Sequence, residues 1–159
     1  MPTRARSELT LRTDSAAETA AFGARLGRVA RAGDVICLWG DLGAGKTVVA
    51  KGFGEGLGVT GTTVSSPSFI LMAEHRGRLP LFHIDLYRLE SARDAFDGGL
   101  LDERQRDGVT LVEWPDRLGE ALPMTRLDIR LLPIGESSRT IDLRAVGDGL
   151  ERYLGAAAA

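Results

Sequence analysis

The sequence predicts a three-layer α/β domain whose sheet is mixed, mostly parallel, with antiparallel additions. Three observations carry that prediction. Residues 35–39 form a short continuous apolar run, which suits a central strand buried on both faces. A glycine-rich turn follows directly and leads into a helical stretch. Toward both ends of the chain lie segments that read as further strands, one of alternating polarity and two that resemble a closing hairpin.

The elements follow in order. Residues 7–12 alternate like a strand. Ser15 with Glu18 makes a capping box that opens an Ala-rich helix running to about Ala32, with Gly33 as its stop. The helix after the glycine-rich turn covers about residues 45–57. Gly52, Gly54 and Gly56 weaken it, so packing must support it. Residues 60–68, rich in Thr, Ser and Gly, read as a loop. Two strands, 69–75 and 79–87, flank the turn at Arg76, Gly77 and Arg78. Residues 89–107 are polar and helical in part, with a break at Gly98 and Gly99. Residues 109–114 form another strand, and Pro115 sits well in the first turn of a short helix. Residues 127–134 and 140–146 form the hairpin, and 148–154 a final helical turn before a frayed Ala tail. No repeat or linker interrupts the chain, so residues 1–159 read as one domain with a core from about 7 to 154.

Composition narrows the function. A hydrophobic content of 43% with 26% charged residues indicates a globular, soluble chain with one core of ordinary size. A net charge of −2 argues against a free-standing nucleic-acid binder, because phosphate neutralisation needs a basic surface. The lone Cys37 excludes an internal disulfide. No apolar run approaches the roughly 20 residues of a membrane span. Residues 1–9 lack the apolar core of a signal peptide. The expected location is the cytoplasm, with no membrane contact.

Residues 40–47 match the Walker A pattern in full, from Gly40 through Asp41, Leu42, Gly43, Ala44 and Gly45 to Lys46 and Thr47. The glycines let successive N–H groups turn inward as an anion nest. The following helix presents the positive end of its dipole to the same phosphates. Lys46 adds a mobile full charge for the β- and γ-phosphates, and the Thr47 hydroxyl is a hard oxygen ligand of the kind Mg²⁺ prefers. The motif sits between a buried strand and a helix start, as it must. Lys46 is also one of only 2 lysines in a chain with 18 arginines. The reading is ATP with Mg²⁺ on a P-loop, and the fold class sharpens to the P-loop NTPase type.

Such a site needs a further acidic group for the metal and something to orient the attacking water. Along residues 81–87, Phe82, Ile84 and Leu86 point to one face and His83, Asp85 and Tyr87 to the other. That polar row fits either a nucleotide cleft or a half-exposed edge strand. Glu113 ends its strand, where ligands of α/β sheets collect, or is a solvated carboxylate at a helix entry. His83 alone reads as a structural histidine. The hydroxyl-rich loop 62–68, with Ser66 and Ser68, reads equally as a γ-phosphate sensor and as a plain polar turn. Trp39 and Trp114 close two strands, as core residues or beside the nucleotide.

Four segments in this order resemble the TsaE (YjeE) family of bacterial ATPases that assist tRNA threonylcarbamoyladenosine synthesis: residues 40–47, 66–69 (SPSF), 83–89 (HIDLYRL) and 112–115 (VEWP). The last two are the more specific. The resemblance spans about residues 9–146. It implies that Lys46 binds phosphate, that Thr47 and Glu113 hold Mg²⁺, that Asp85 is essential for hydrolysis, and that residues 66–69 form a switch loop. It also implies two partner proteins, TsaB and TsaD, with tRNA held mainly by them. TsaD performs the transfer, and the ATPase resets or regulates the complex. Ser68 stands where the family usually has Thr, and residues 90–107 depart from its pattern.

A GTPase would carry an Asn-Lys-x-Asp motif, and this chain has no Asn. A small-molecule kinase would share the size and the P-loop but carries an Arg-rich lid, for which the close pair Arg104 and Arg106 is the candidate here. A nucleotide-dependent binding module with negligible hydrolysis fits less well with both Asp85 and Glu113 present.

Overall fold

The computed structural model describes residues 7–60, 72–87 and 103–159. Ser66 and Ser68, the rest of the loop 61–68, and the break at Gly98 and Gly99 lie outside them. Seven strands form one sheet. They are β1 (Glu8–Thr13), β2 (Val35–Trp39), β3 (Met72–Arg76), β4 (Pro80–Asp85), β5 (Val109–Glu113), β6 (Arg126–Pro133) and β7 (Arg139–Val146). Their spatial order is β1-β7-β6-β2-β5-β4-β3. The centre, β6-β2-β5-β4, is parallel. Antiparallel pairs extend it on both sides, β6 with β7 and β7 with β1 at one end, β4 with β3 at the other. Strand β4 therefore lies inside the sheet, which removes the edge-strand alternative for His83 and Asp85.

Alternation within the strands divides the core. Ile36, Leu38, Leu81 and Leu111 face the layer built by α1 (Ala16–Arg28), α2 (Lys46–Gly56) and the C-terminal helix α3 (Arg152–Ala158). Cys37, Ile84, Leu86 and Val112 face the other side, where the 3₁₀ segment Pro115–Ala121 brings Leu118. By the same period of two, His83, Asp85 and Glu113 fall on the helix-bearing face.

Helix α1 opens at Ser15, whose hydroxyl accepts from the Glu18 N–H at 3.1 Å. The Glu18 carboxylate reaches one residue further back than a capping box prescribes, to the Asp14 N–H at 2.8 Å. The helix ends three to four residues before Ala32. The N–H groups of Val29 and Ala30 bond to carbonyls three residues back, and this tightening closes the last turn. The C-terminal alanines do not fray. They continue α3, Ala157 is buried, and Arg25 donates to its carbonyl at 3.2 Å. Arg152 and the Tyr153 hydroxyl both bond to Asp34 at the start of β2.

The glycines of α2 find their support in α1. A Cβ on Gly52 would lie 2.0 Å from the Ala20 carbonyl oxygen, and one on Gly56 2.1 Å from that of Ala24. Reciprocally, Gly23 and Gly27 leave room for the carbonyls of Val49 and Phe53. The two helices meet backbone to backbone, which offsets the low helix propensity of these residues and fixes where α2 begins.

Candidate functional site

Strand β2 ends at Trp39, and the loop turns through three glycines in conformations that L-residues avoid: Gly40 at φ 151°, Gly43 at 81° and Gly45 at 107°. Ala44 donates to the Asp41 carbonyl at 3.1 Å, and Gly45 caps α2 with no side chain of its own. Asp41, Leu42 and Gly43 are exposed, whereas Ala44 is buried. Lys46 and Thr47 open the first turn of α2. The Lys46 ammonium donates to the Gly40 carbonyl at 2.6 Å and lies 3.6 Å from the Trp114 ring centroid, a cation–π contact. Burial lowers its pKa, while Glu113, Asp85, Asp116 and Asp41 pull it the other way.

The two candidate carboxylates sit side by side. Asp85 and Glu113 are register partners at the carboxyl ends of β4 and β5, and Leu38 of the P-loop strand is the partner of Glu113 across β2. Both are buried. Asp85 Oδ1 accepts from the Tyr87 N–H at 2.9 Å, which folds the chain back as it leaves the strand. Glu113 Oε2 meets His83 Nε2 at 2.6 Å, with the imidazole fully buried. An ionised Glu113 places the proton on Nε2, leaving Nδ1 with no partner among the described residues. His83 thus orients a carboxylate, a role compatible with its reading as a structural histidine.

After Glu113 the chain turns sharply. Trp114 adopts a left-handed conformation (φ 59°, ψ 50°), one that costs a bulky residue about 1–3 kcal/mol and persists only where its surroundings enforce it. The turn brings the indole over Lys46 and within 5.0 Å of the Tyr87 ring, and lets Pro115 start the 3₁₀ segment. Trp39 is held differently, by a 2.8 Å bond from its N–H to Asp128 and by the Arg130 guanidinium over its face. Both tryptophans, with Asp41, Asp116 and Arg130, line a cavity of about 460 Å³ beside the loop.

Arg139 was not among the residues singled out from the sequence, yet it binds the loop directly. Its Nε donates to the Ala44 carbonyl at 2.8 Å and one terminal nitrogen to the Gly43 carbonyl at 3.2 Å. With Thr19, Gly45, Val48 and Glu136 it lines a smaller cavity of about 90 Å³ at the start of α2. One arginine among 18 carries no local signal of this contact, because it arrives from β7.

Thr47 and Glu113 carry hydroxyl and carboxylate oxygens of the hard kind that Mg²⁺ takes, and Asp85 stands beside Glu113 in register. Among the described residues no cluster of three or more His, Cys, Asp or Glu forms a ready-made metal cage. Among the described residues no helix is long and apolar enough to cross a membrane.

Known proteins give a consistent comparison. The sequence model for the family described as "Threonylcarbamoyl adenosine biosynthesis protein TsaE" matches residues 13–141. The tRNA threonylcarbamoyladenosine biosynthesis protein TsaE of Bacillus subtilis is 43% identical over 145 residues, covering 91% of this chain and 90% of that protein. The protein of the same name from Treponema pallidum is 40% identical over 127 residues, covering 80% and 93%. The crystal structure of YdiB from Bacillus subtilis superposes with a TM-score of 0.76 at 38% identity, over 95% of this chain and 94% of that one. Motif, topology and these matches agree, and the chain belongs to the TsaE family.

Proposed function

We propose that this protein is a cytoplasmic P-loop ATPase that binds ATP with Mg²⁺ and supports threonylcarbamoylation of the tRNA adenosine beside the anticodon. It acts through TsaB and TsaD, binding and resetting their complex between turnovers, and meets tRNA only through them. The observation that carries this reading is the register of Asp85 and Glu113 at strand ends on the face that bears the P-loop helix.

In this reading the N–H groups of residues 41–47 cradle the phosphates, and Lys46 leaves the Gly40 carbonyl for the β- and γ-phosphates. Thr47 and Glu113 hold Mg²⁺, which supplies charge neutralisation at the transferring phosphoryl group. His83 keeps the Glu113 carboxylate aimed. Asp85 orients the attacking water and is essential for hydrolysis. Ser66 and Ser68 sense the terminal phosphate.

ATP turnover by the purified protein, alone and with the TsaB–TsaD pair from the same source, tests the proposal. Slow turnover alone, a clear rise with the pair, and loss of both in Lys46→Ala are expected. An unchanged rate in Asp85→Ala would remove Asp85 from the hydrolytic step. ATP binding without any rise would point to the kinase or binding-module readings, which a phosphate-acceptor assay separates.

A further inference from the structure

We propose that Arg139 is a positioning residue that holds the phosphate loop in its anion-binding shape from the outside, by bonding the carbonyls that the loop turns away from the nest. This inference rests on the Mg-ATP reading of the loop.

A nest that points its N–H groups at a phosphate must point carbonyls elsewhere, and those carbonyls need donors. The guanidinium meets that need at the left-handed Gly43 and at Ala44, which stands between it and the left-handed Gly45. The other terminal nitrogen gathers the turn between β6 and β7, its two N–H groups shared among the carbonyls of Gly135 (3.2 Å), Glu136 (3.3 Å) and Ser138 (2.9 Å). Its backbone is fixed on both sides, since Arg139 is the register partner of Thr13 in β1 and of Pro133 in β6. A planar fork with five donors can span two loop carbonyls and a hairpin together; an ammonium on a flexible stem cannot.

The contact also has an electrostatic effect. The carbonyl of Ala44 shares a peptide unit with the Gly45 N–H, whereas that of Gly43 shares one with the Ala44 N–H, which closes the loop's own turn onto the Asp41 carbonyl. A cation on the oxygen polarises the unit and makes its N–H a stronger donor. Each of these five acceptors is a main-chain carbonyl, so none of them neutralises the guanidinium charge. Arg139 therefore strengthens the nest without touching the nucleotide phosphates, a task distinct from that of Lys46.

Titration calorimetry of the full chain with Mg-ATP and with inorganic tripolyphosphate tests this. Arg139→Ala is expected to weaken both ligands by about 10- to 100-fold, the range that loss of charge-assisted hydrogen bonds gives. Arg139→Lys is expected to recover only a small part of that loss. The measurement is made well below each variant's melting temperature, so that affinity reports the loop and not the folded fraction. Wild-type affinity in Arg139→Ala overturns the proposal. So does a loss confined to ATP with tripolyphosphate unchanged, which would place Arg139 on the nucleoside instead. If Arg139→Ala does not fold, Arg139→Lys decides: wild-type affinity there overturns the proposal. Failure of the wild-type protein to bind ATP would defeat the nucleotide reading itself, and tripolyphosphate would then decide on Arg139 alone.

Discussion

His83 and Glu113 meet at 2.6 Å inside the sheet, imidazole nitrogen to carboxylate oxygen, with both side chains buried. Each is the other's main compensation for leaving water. Removing the imidazole in His83→Ala leaves a buried carboxylate without its hydrogen bond, a loss of about 2–3 kcal/mol. His83→Gln, which can present an N–H near the place of Nε2, is expected to lose less. If Glu113 holds Mg²⁺, the Mg²⁺ concentration giving half-maximal ATP turnover should rise about 10-fold or more in His83→Ala. Chemical denaturation and a Mg²⁺ titration check both. Unaltered Mg²⁺ dependence in a folded His83→Ala protein would detach the pair from the metal.

The lowered pKa of Lys46 gives a pH prediction with a definite sign. Burial, its largest cause, disfavours the charged form, and the surrounding carboxylates only partly offset it. Between the lowered value and the ordinary one the unfolded chain binds more protons, so the nucleotide-free protein gains stability as pH rises through that interval. Bound phosphates favour the ammonium and raise its pKa again. ATP binding at alkaline pH should then take up protons, readable as a dependence of the calorimetric enthalpy on buffer ionisation enthalpy. No proton uptake there would mean that Lys46 does not meet the phosphates.

Helix propensity and steric contact oppose each other at Gly56. Alanine in a helix interior gains about 1 kcal/mol over glycine. Here its methyl would lie 2.1 Å from the Ala24 carbonyl oxygen of another helix, which cannot swing aside. Overpacking of this kind costs about 1–3 kcal/mol or more, so Gly56→Ala should be net destabilising. Gly155 in α3 has nothing within 4 Å of its hypothetical Cβ, and Gly155→Ala should be neutral to stabilising by up to about 1 kcal/mol. Thermal melts of the two variants should move in opposite directions.

Cys37 lies in the middle of β2 with no exposed surface, and burial pushes its thiol up to about 12, with Asp128 adding to the shift. The thiolate is the reactive form. Native protein near neutral pH should therefore resist a disulfide reagent such as Ellman's, and the thiol should react at the rate of opening of the central strand. Fast labelling of folded protein would contradict the packing of β2 against β5 and β6.

Much of this architecture was legible in the sequence, for local reasons. The run at 35–39, the eight residues after it and Pro115 each state their conformation within a few positions. The hairpin near the C-terminus does the same through alternation, and its strands begin only one residue earlier than expected. Ser15 and Glu18 mark the start of α1 well, but its end falls earlier than Gly33 suggests. Gly33 is a turn glycine some residues beyond the true stop, because 3₁₀-type bonds at Val29 and Ala30 close the helix first. The alanines at the C-terminus read as fraying because propensity says nothing of the surface offered by α1. Asp85 and Glu113 could be nominated separately, whereas their shared register depends on how β4 and β5 pair. Arg139 was unreadable for the same reason, being distant in the chain from the carbonyls it serves.

The peptide-on-peptide crossing of α1 and α2 limits how these two helices can move. Side chains at an interface can swivel and let two rods slip past one another; four glycines have removed that bearing, and what remains is rigid main chain against rigid main chain. The helix carrying Lys46 and Thr47 is in effect an anvil. Under the proposed function, a nucleotide on that helix would have little freedom to push it, and a response would run instead through the opposite bank, by the ends of β4 and β5 and the bent chain at Trp114.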